Sequence, residues 1–389
     1  MMLKILNDEG TTTVHTISKE TIVNSKPIDF ISSTQKETNV LKIIDAYYSG
    51  NKTILFDSSN KAIVDKVKNF DLNLLNTYDF SMMFFTSGST GNPVGALKTK
   101  NNLEEEVKVF SKLIENYNIK QVIVTVPFIH IYGTLVGLLY PLLNNIDIVL
   151  KEHFLPFNLL ETIKDNSLIV TTPLYIESLL KTNENLDMKT SLFVSSTAPL
   201  SKESAKQFSQ KFNTNVMQLF GSTETSGIGY KYNDDELWTP FENVTISVNQ
   251  ENELIVQSPF VSEFLYENDF KSTSGLIQTF DYIEQYENKF KLIGRSSKIF
   301  KVAGKRYSTV QIETILENID GISKALVFVS HNDLNNEFLD ILLETTRDFS
   351  TLEIKQILRE QLSNLKFPLQ LKFVDKIAVN SVGKKLKIN

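Results

Sequence analysis

The stretch "FFTSGSTGNPVG", residues 84–95, puts three glycines and four hydroxyl side chains into twelve positions. Hydroxyls and backbone N–H groups in such a turn converge on one point, and glycine lets the main chain come close to whatever sits there. That is chemistry suited to phosphate oxygens. The spacing is not that of a Walker loop, which needs GxxxxGK followed by Ser or Thr. Gly88 is followed by Ser89, Thr90, Gly91, Asn92 and Pro93, and the pair Gly383 and Lys384 has Ala378 where the first glycine would stand. "GIGYKY" at 227–232 lacks the third glycine of a dinucleotide fingerprint. A plain Gly/Ser surface loop is the competing reading of residues 86–91. The chain has no cysteine, which excludes disulfides, zinc–thiolate sites and thiol nucleophiles. His15, His130, His153 and His331 have no metal-ligand spacing such as HExxH.

The elements around the loop set its frame. "FSMMFFT" reads as a strand entering it. "NNLEEEVKVFSKLIENY" reads as a helix leaving it, with Leu103, Val107, Phe110 and Ile114 on one face and an Asn start signal. "QVIVTV", "IDIVL", "SLIVTT", "SLFVSS" and "NVMQLF" follow as short apolar strands separated by helices, the pattern of a mainly parallel sheet covered on both faces. From about residue 243 the texture changes to Asn-rich hairpins, "NVTISVNQENELIVQS" and "YIEQYENKFKLIG". Residues 1–78 show only short apolar runs, "TILFD" and a helix-like "NVLKIIDAYYSG". After Gly294 comes a small α+β unit with helix patterns near 309–318 and 351–363. The expected fold is thus an α/β large domain with mainly parallel sheets, helices and β hairpins, residues 1–294, then a small α+β domain, residues 295–389. A length of 389 residues suits two or three domains, and 41% hydrophobic with 22% charged residues suits a folded chain. A net charge of −6 argues against a general nucleic-acid binder. No apolar run reaches the roughly 18–20 residues of a membrane span. The start, "MMLKILNDEG", turns acidic too early for a signal peptide. A cytoplasmic enzyme is expected.

"FTSGSTGNPVG" resembles the phosphate loop of the adenylate-forming superfamily of acyl-CoA synthetases, peptide-synthetase adenylation domains and luciferases. Further segments resemble that family's signatures in order. "VPFIHIYG" at 126–133 is similar to its Pro-x-x-His segment, and "SSTAPLS" at 195–201 to its Gly-Ala-Pro-Leu segment. "QLFGSTET" at 218–225 resembles its Tyr-Gly-x-Thr-Glu motif, and "TFD" at 279–281 its Thr-Gly-Asp. "GRSSKIFKVAGKRYSTVQIE" at 294–313 is similar to its Gly-Arg hinge and following segments, and "NSVGKKLK" at 380–387 to its terminal Gly-Lys. The resemblance spans residues 84–387, about three quarters of the chain, and finds no signature before residue 80.

The resemblance implies a two-step reaction. A small carboxylic acid attacks the α-phosphorus of ATP, giving acyl-AMP and pyrophosphate, and a thiol of CoA or of carrier-protein phosphopantetheine then displaces AMP. An acyl carrier protein is the partner the second acceptor implies. By resemblance, Thr86, Ser87, Gly88, Ser89, Thr90 and Gly91 cradle the β- and γ-phosphates. Glu224 ligates Mg²⁺ and Thr223 donates to the α-phosphate. Phe220 stacks near adenine, and Ser196, Thr197, Ala198 and Pro199 line the junction of adenine and acyl group. Asp281 accepts from the ribose hydroxyls, with Arg295 beside it. His130 lies at the acyl pocket. Lys384 neutralises the transition state of the first step, and the small domain pivots near Arg295–Ser297 between the two steps. The bland rivals are a solvated Glu224, a turn Asp281, a surface Arg295, a core Phe220, a packed core His130 and a basic tail around Lys384.

The chain departs from the family pattern at two positions. Val94 stands where the family has Lys after the loop proline, with Lys98 four residues on, and Ser297 stands at the usual hinge residue. These departures keep a second reading open, a nucleotide-binding pseudo-enzyme on the same fold. A third is an adenylating enzyme that passes its acyl group to an amine or a protein. No Asp flanks His130 in the sequence, against an amino-acid substrate, and the acid itself is not legible.

Overall fold

The strand Met82–Thr86 buries side chains on both faces, Met82 and Phe84 in one hydrophobic cluster, Met83 and Phe85 in another. Successive strand residues face opposite ways, so such a strand needs cover on both sides. The structure, a computed structural model, describes residues 1–7, 11–18, 28–86, 93–295, 299–302, 305–331, 337–362, 367–379 and 385; side chains are described at all of these except 299–302, 305–307, 311, 331 and 337. It divides into two compact units, Met1–Ser247 with Ile255–Gln278, and Val248–Leu254 with Thr279–Asn389.

The first unit holds two large sheets. In the six-stranded one, Ile28–Ile31, Lys52–Leu55 and Met82–Thr86 run parallel; Val94–Lys98, Phe264–Tyr266 and Phe270–Ser272 follow as antiparallel neighbours. In the nine-stranded one, Asn215–Ser222, Leu192–Ser195, Ser167–Thr171, Gln121–Val124, Asp147–Leu150 and Met2–Leu6 run parallel in that spatial order. Ser226–Tyr232 and Thr239–Pro240 extend one edge, and Thr12–Thr16 the other.

Layering follows from which face each residue takes. Val122 and Val124 pack with Leu55 and Phe84 of the other sheet, and with Val40 and Ile43 of helix Lys36–Ser49 and Leu103, Val107 and Phe110 of helix Lys100–Leu113. Ile123 points the other way, to Leu159, Ile176, Phe208 and Phe212 of the helices Pro156–Thr162, Pro173–Leu180 and Lys202–Phe212. Ile54, Met83 and Phe85 are covered by Ile63 and Val67 of helix Lys61–Lys68 and Leu75 of helix Leu72–Thr77. The core therefore lies between the two sheets, with further helices on each outer face.

The division between units passes through a sheet of Thr245–Val248, Glu253–Gln257, Leu276–Tyr286 and Lys289–Arg295. In the second unit, helices Thr309–Glu317 and Thr351–Gln361 pack Ile312, Leu316, Ile354 and Leu358 against Val327, Leu339 and Ile341 of a three-stranded sheet. This is the expected α+β unit. By compactness it begins at Thr279 and takes in 248–254, ahead of the Gly294 texture change. The helix after the loop is capped by Thr99, whose side chain accepts from Asn102 N while Asn102 returns the bond. The start signal is Thr99, with the Asn at the third helical position.

Candidate active site

Parallel strands end on a common edge, and beyond those carboxyl ends α/β sheets place their ligands. Thr86 is the last residue of its strand in one sheet; Ser222 is the last of its strand in the other, followed by Thr223 and Glu224. Thr86 Oγ1 donates to Glu224 Oε1 at 3.3 Å. One hydrogen bond thus joins the carboxyl edges of both sheets. Ser87, Gly88, Ser89, Thr90 and Gly91 lie outside the described residues.

The turn carrying Glu224 is tightly specified. A Cβ on Gly221 would sit 2.1 Å from Ser226 O, so only glycine permits the approach. Ser222 N donates to Thr225 Oγ1 and Thr225 N to Ser222 Oγ, each at 3.1 Å, and Ser226 takes a φ of 62°. The Glu224 carbonyl accepts from Ser262 N at 3.0 Å and from Lys98 Nζ at 3.1 Å; Lys98 also donates to Phe260 O at 2.7 Å. Gly227 N donates to Glu106 Oε1 at 2.8 Å. Lys98 is fully buried and Glu106 half-buried with its carboxylate turned inward: burial pushes the amine down and the carboxyl up, and their mutual attraction opposes both shifts. Lys98 therefore points into the protein, where it supports the Glu224 main chain. Thr223 and Glu224 are half-buried. No cluster of three or more His, Cys, Asp or Glu exists among the described residues. One carboxylate beside a hydroxyl fits a hard cation whose remaining ligands are phosphate and water oxygens.

Phe220 lies 5.5 Å, ring to ring, from Trp238, over which Lys231 Nζ stands at 4.9 Å. Across from it the strand Leu192–Ser195 runs out into residues 196–199, where Ser196 Oγ donates to Leu219 O at 3.1 Å. Thr197 and Pro199 are exposed and Ala198 is half-buried. Thr197 takes a φ of 78°, glycine's left-handed region, at the position of the Gly in the Gly-Ala-Pro-Leu pattern. His130 follows the end of strand Gln121–Val124. Its Nε2 is buried without a protein partner, and burial lowers its pKa while Asp57 opposes the shift. Asp57 comes from the end of a different strand, so an acidic group does act on His130 although none adjoins it in sequence. Nearby in the chain, Tyr132 Oη donates to Val194 O at 2.6 Å and Thr171 O at 3.1 Å, tying two strand ends together. Gly133 is required here, since a Cβ would meet Pro127 O at 2.2 Å.

A family model described as AMP-binding enzyme matches residues 2–257. This chain belongs to the AMP-binding enzyme family. VraA of Staphylococcus haemolyticus, provisionally named a long chain fatty acid-CoA ligase, is 24% identical over 369 residues, covering 92% of this chain and 78% of that one. A 3,4-dihydroxybenzoate–aryl-carrier protein ligase of Bacillus anthracis is 21% identical over 314 residues, covering 78% and 72%. Among solved structures, O-succinylbenzoate coenzyme A synthetase, MenE, of Bacillus subtilis superposes with a TM-score of 0.79 at 15% identity, covering 98% of this chain and 95% of that one. MatB of Rhodopseudomonas palustris gives 0.72 at 18% identity, covering 92% and 77%. The family match begins at residue 2, so the region without a recognised signature belongs to it as well.

The other residues expected from the resemblance lie beyond the family match, in the second unit. Asp281 is buried opposite Arg295 on the neighbouring strand, with Arg295 Nε 3.2 Å from Asp281 Oδ1. Asp281 N donates to Thr279 Oγ1 at 3.1 Å. Ser297, Gly304 and Lys384 lie outside the described residues, but Lys385 is placed. It forms an antiparallel bridge with Val379 and donates to Glu313 Oε2 at 3.2 Å, Glu317 Oε1 at 2.5 Å and Ala325 O at 2.8 Å. Burial alone would lower its pKa; the two carboxylates outweigh that and raise it. Sequence reasoning missed Glu106, Trp238, Tyr132 and this socket. Glu106 did leave a signal: it sits at helical spacing within the stripe Leu103, Val107, Phe110, a carboxylate on the apolar face.

Proposed function

We propose that the protein activates a carboxylic acid with ATP, forming acyl-AMP and pyrophosphate, and transfers the acyl group to a thiol. The observation that carries this reading is the Thr86–Glu224 hydrogen bond. It brings the start of a donor-rich loop to a carboxylate in a rigid turn, which is what two phosphates and a cation require. Thr86, Ser87, Gly88, Ser89, Thr90 and Gly91 hold the β- and γ-phosphates, and Thr223 donates to the α-phosphate. Glu224 holds Mg²⁺, which when bound supplies positive charge to the phosphate oxygens. Phe220, with Trp238 behind it, and residues 196–199 form the adenine and acyl junction. Asp281 accepts from the ribose hydroxyls with Arg295 beside it, and His130 faces the acid. Lys384 supplies the cation of the first step, and the chain pivots at 295–297 before the second. The thiol belongs to CoA or to a carrier-protein arm: relatives named for each exist. Their named acids, a long-chain fatty acid and a dihydroxybenzoate, share only the carboxylate.

A panel of carboxylic acids, offered with ATP and Mg²⁺, tests this. Pyrophosphate release should depend on one class of acid, and AMP release should rise on adding CoA, a phosphopantetheinyl carrier protein or an amine, whichever is the acceptor. Lys384→Ala should slow acid-dependent pyrophosphate release by about 10²–10³ yet still turn over pre-made acyl-AMP with the thiol. A protein that binds ATP but releases no pyrophosphate with any acid is the pseudo-enzyme that Val94 keeps in view, since the loop cation it replaces is not restored by the inward-facing Lys98.

A further inference from the structure

The turn from Ser222 to Ser226 is gripped from behind by two side chains of opposite charge. Lys98 closes the strand Val94–Lys98 and is wholly buried; its ammonium donates to the carbonyl of Glu224 itself. Glu106 comes from helix Lys100–Leu113, and its carboxylate accepts from Gly227 N on the far side of the turn. Each contact has the polarity its charge demands, cation to carbonyl and anion to amide. Taking an ammonium and a carboxylate out of water costs several kcal/mol for each, and an apolar pair of similar volume usually serves stability as well or better. What an apolar pair lacks is direction. With Lys98 at one end and Glu106 at the other, the turn has one register, and the Glu224 side chain leaves it toward Thr86.

We propose that Lys98 and Glu106 form a buried charge clamp that positions Glu224 to hold its metal ion. Lys98 is a positioning residue in this scheme and touches no phosphate. The inference rests on the reading of Glu224 as the metal-holding carboxylate. It also gives the strand after Val94 a role in the site through the turn.

The test compares Lys98→Met, Glu106→Gln, the double Lys98→Met/Glu106→Gln and Glu224→Gln in the full-length protein. Lys98→Met alone strands a buried carboxylate and should lower the thermal midpoint. The double variant buries no net charge and should recover it. Two readouts separate positioning from folding. One is amide exchange across residues 222–227 without metal. The other is the Mg²⁺ concentration that half-saturates ATP binding, followed by calorimetry. The clamp predicts faster exchange in the turn and an Mg²⁺ requirement raised about tenfold or more in the double variant, at a near-parental midpoint. A folded double variant with parental exchange and parental Mg²⁺ requirement overturns the clamp. Glu224→Gln distinguishes the two levels of failure. If it leaves the Mg²⁺ requirement unchanged, the reading of Glu224 falls and the clamp with it; if it raises the requirement while the double variant does not, the clamp alone falls.

Discussion

Lys36 shows at the scale of one residue how this protein holds a buried charge. It is the first residue of helix Lys36–Ser49, almost wholly buried, with Nζ donating to Thr125 O at 3.3 Å. Glu152 accepts from the backbone N–H groups of Lys36 and Glu37, each at 3.2 Å, and so caps the helix. Burial lowers the Lys36 pKa to about 8, against the pull of Glu152 and Glu37. The amine of the unfolded chain titrates near 10.5. Between those values the unfolded state binds more protons, so stability rises with pH there, and below about pH 8 the buried charge is a standing cost. Lys36→Met removes the term. Its stability relative to the parent, measured by denaturant unfolding, should therefore fall by about 3 kcal/mol from pH 7 to pH 10.5. A difference that stays constant across that range would show Lys36 to be ordinary. At this scale the sequence was legible where a residue type is rare at its position. Glu224, Asp281 and the loop hydroxyls stand out in their motifs. Lys36 and Asp57 do not, because what makes them unusual is burial and a partner from a distant strand.

At the scale of elements, the strand that enters the loop, the helix Lys100–Leu113 and the parallel strands from Gln121 to Ser222 were readable from their apolar residues, but the expected passage from loop to helix was not right: the chain leaves the loop as the strand Val94–Lys98, paired back on Met82–Thr86, and the helix follows it. The N-terminal strands were not. Met2–Leu6 buries only Leu3 and Ile5, and Thr12–Thr16 buries no residue, so it carries no alternation to find; only its backbone pairing places it at the sheet edge. At the C-terminal segment the rival to a functional Lys384 was a basic tail, and the one residue described there, Lys385, is anchored. Glu313 accepts from Val327 N at 3.0 Å and Glu317 from Ala325 N at 2.8 Å, so helix Thr309–Glu317 holds the neighbouring strand and the Lys385 ammonium with the same two carboxylates. Lys385→Met would leave Glu313 buried beside an unneutralised Glu317 and should cost about 2 kcal/mol. The loss should appear as faster amide exchange in Ile322–His331 and Glu337–Thr345, with Lys385→Arg close to the parent. Unchanged exchange in both strands would return residue 385 to the status of a tail. Because Lys384 immediately precedes Lys385 in the chain, the same variant should also slow acid-dependent pyrophosphate release.

For the whole molecule, the family match runs over residues 2–257 and the superposition on MenE along 98% of this chain, while the compact units divide at 247/248, 254/255 and 278/279 and not at the 294/295 boundary expected from sequence. The two parts carry different halves of the proposed chemistry. The first unit holds Thr86, Phe220, Thr223, Glu224 and His130; the second holds Asp281, Arg295 and Lys384. The acid is the least legible feature, because in the proposed site the groups around His130 come from segments far apart in sequence, as the influence of Asp57 on its pKa illustrates. The central claim does not depend on which acid it is: a carboxylate oxygen attacks the α-phosphorus of ATP. The most direct measurement takes the acid that supports pyrophosphate release, labels both its carboxylate oxygens with ¹⁸O, and reads the products by mass spectrometry after acyl transfer. Attack at the α-phosphorus predicts one labelled oxygen in AMP and none in pyrophosphate. Label in inorganic phosphate, or AMP without label, would contradict it.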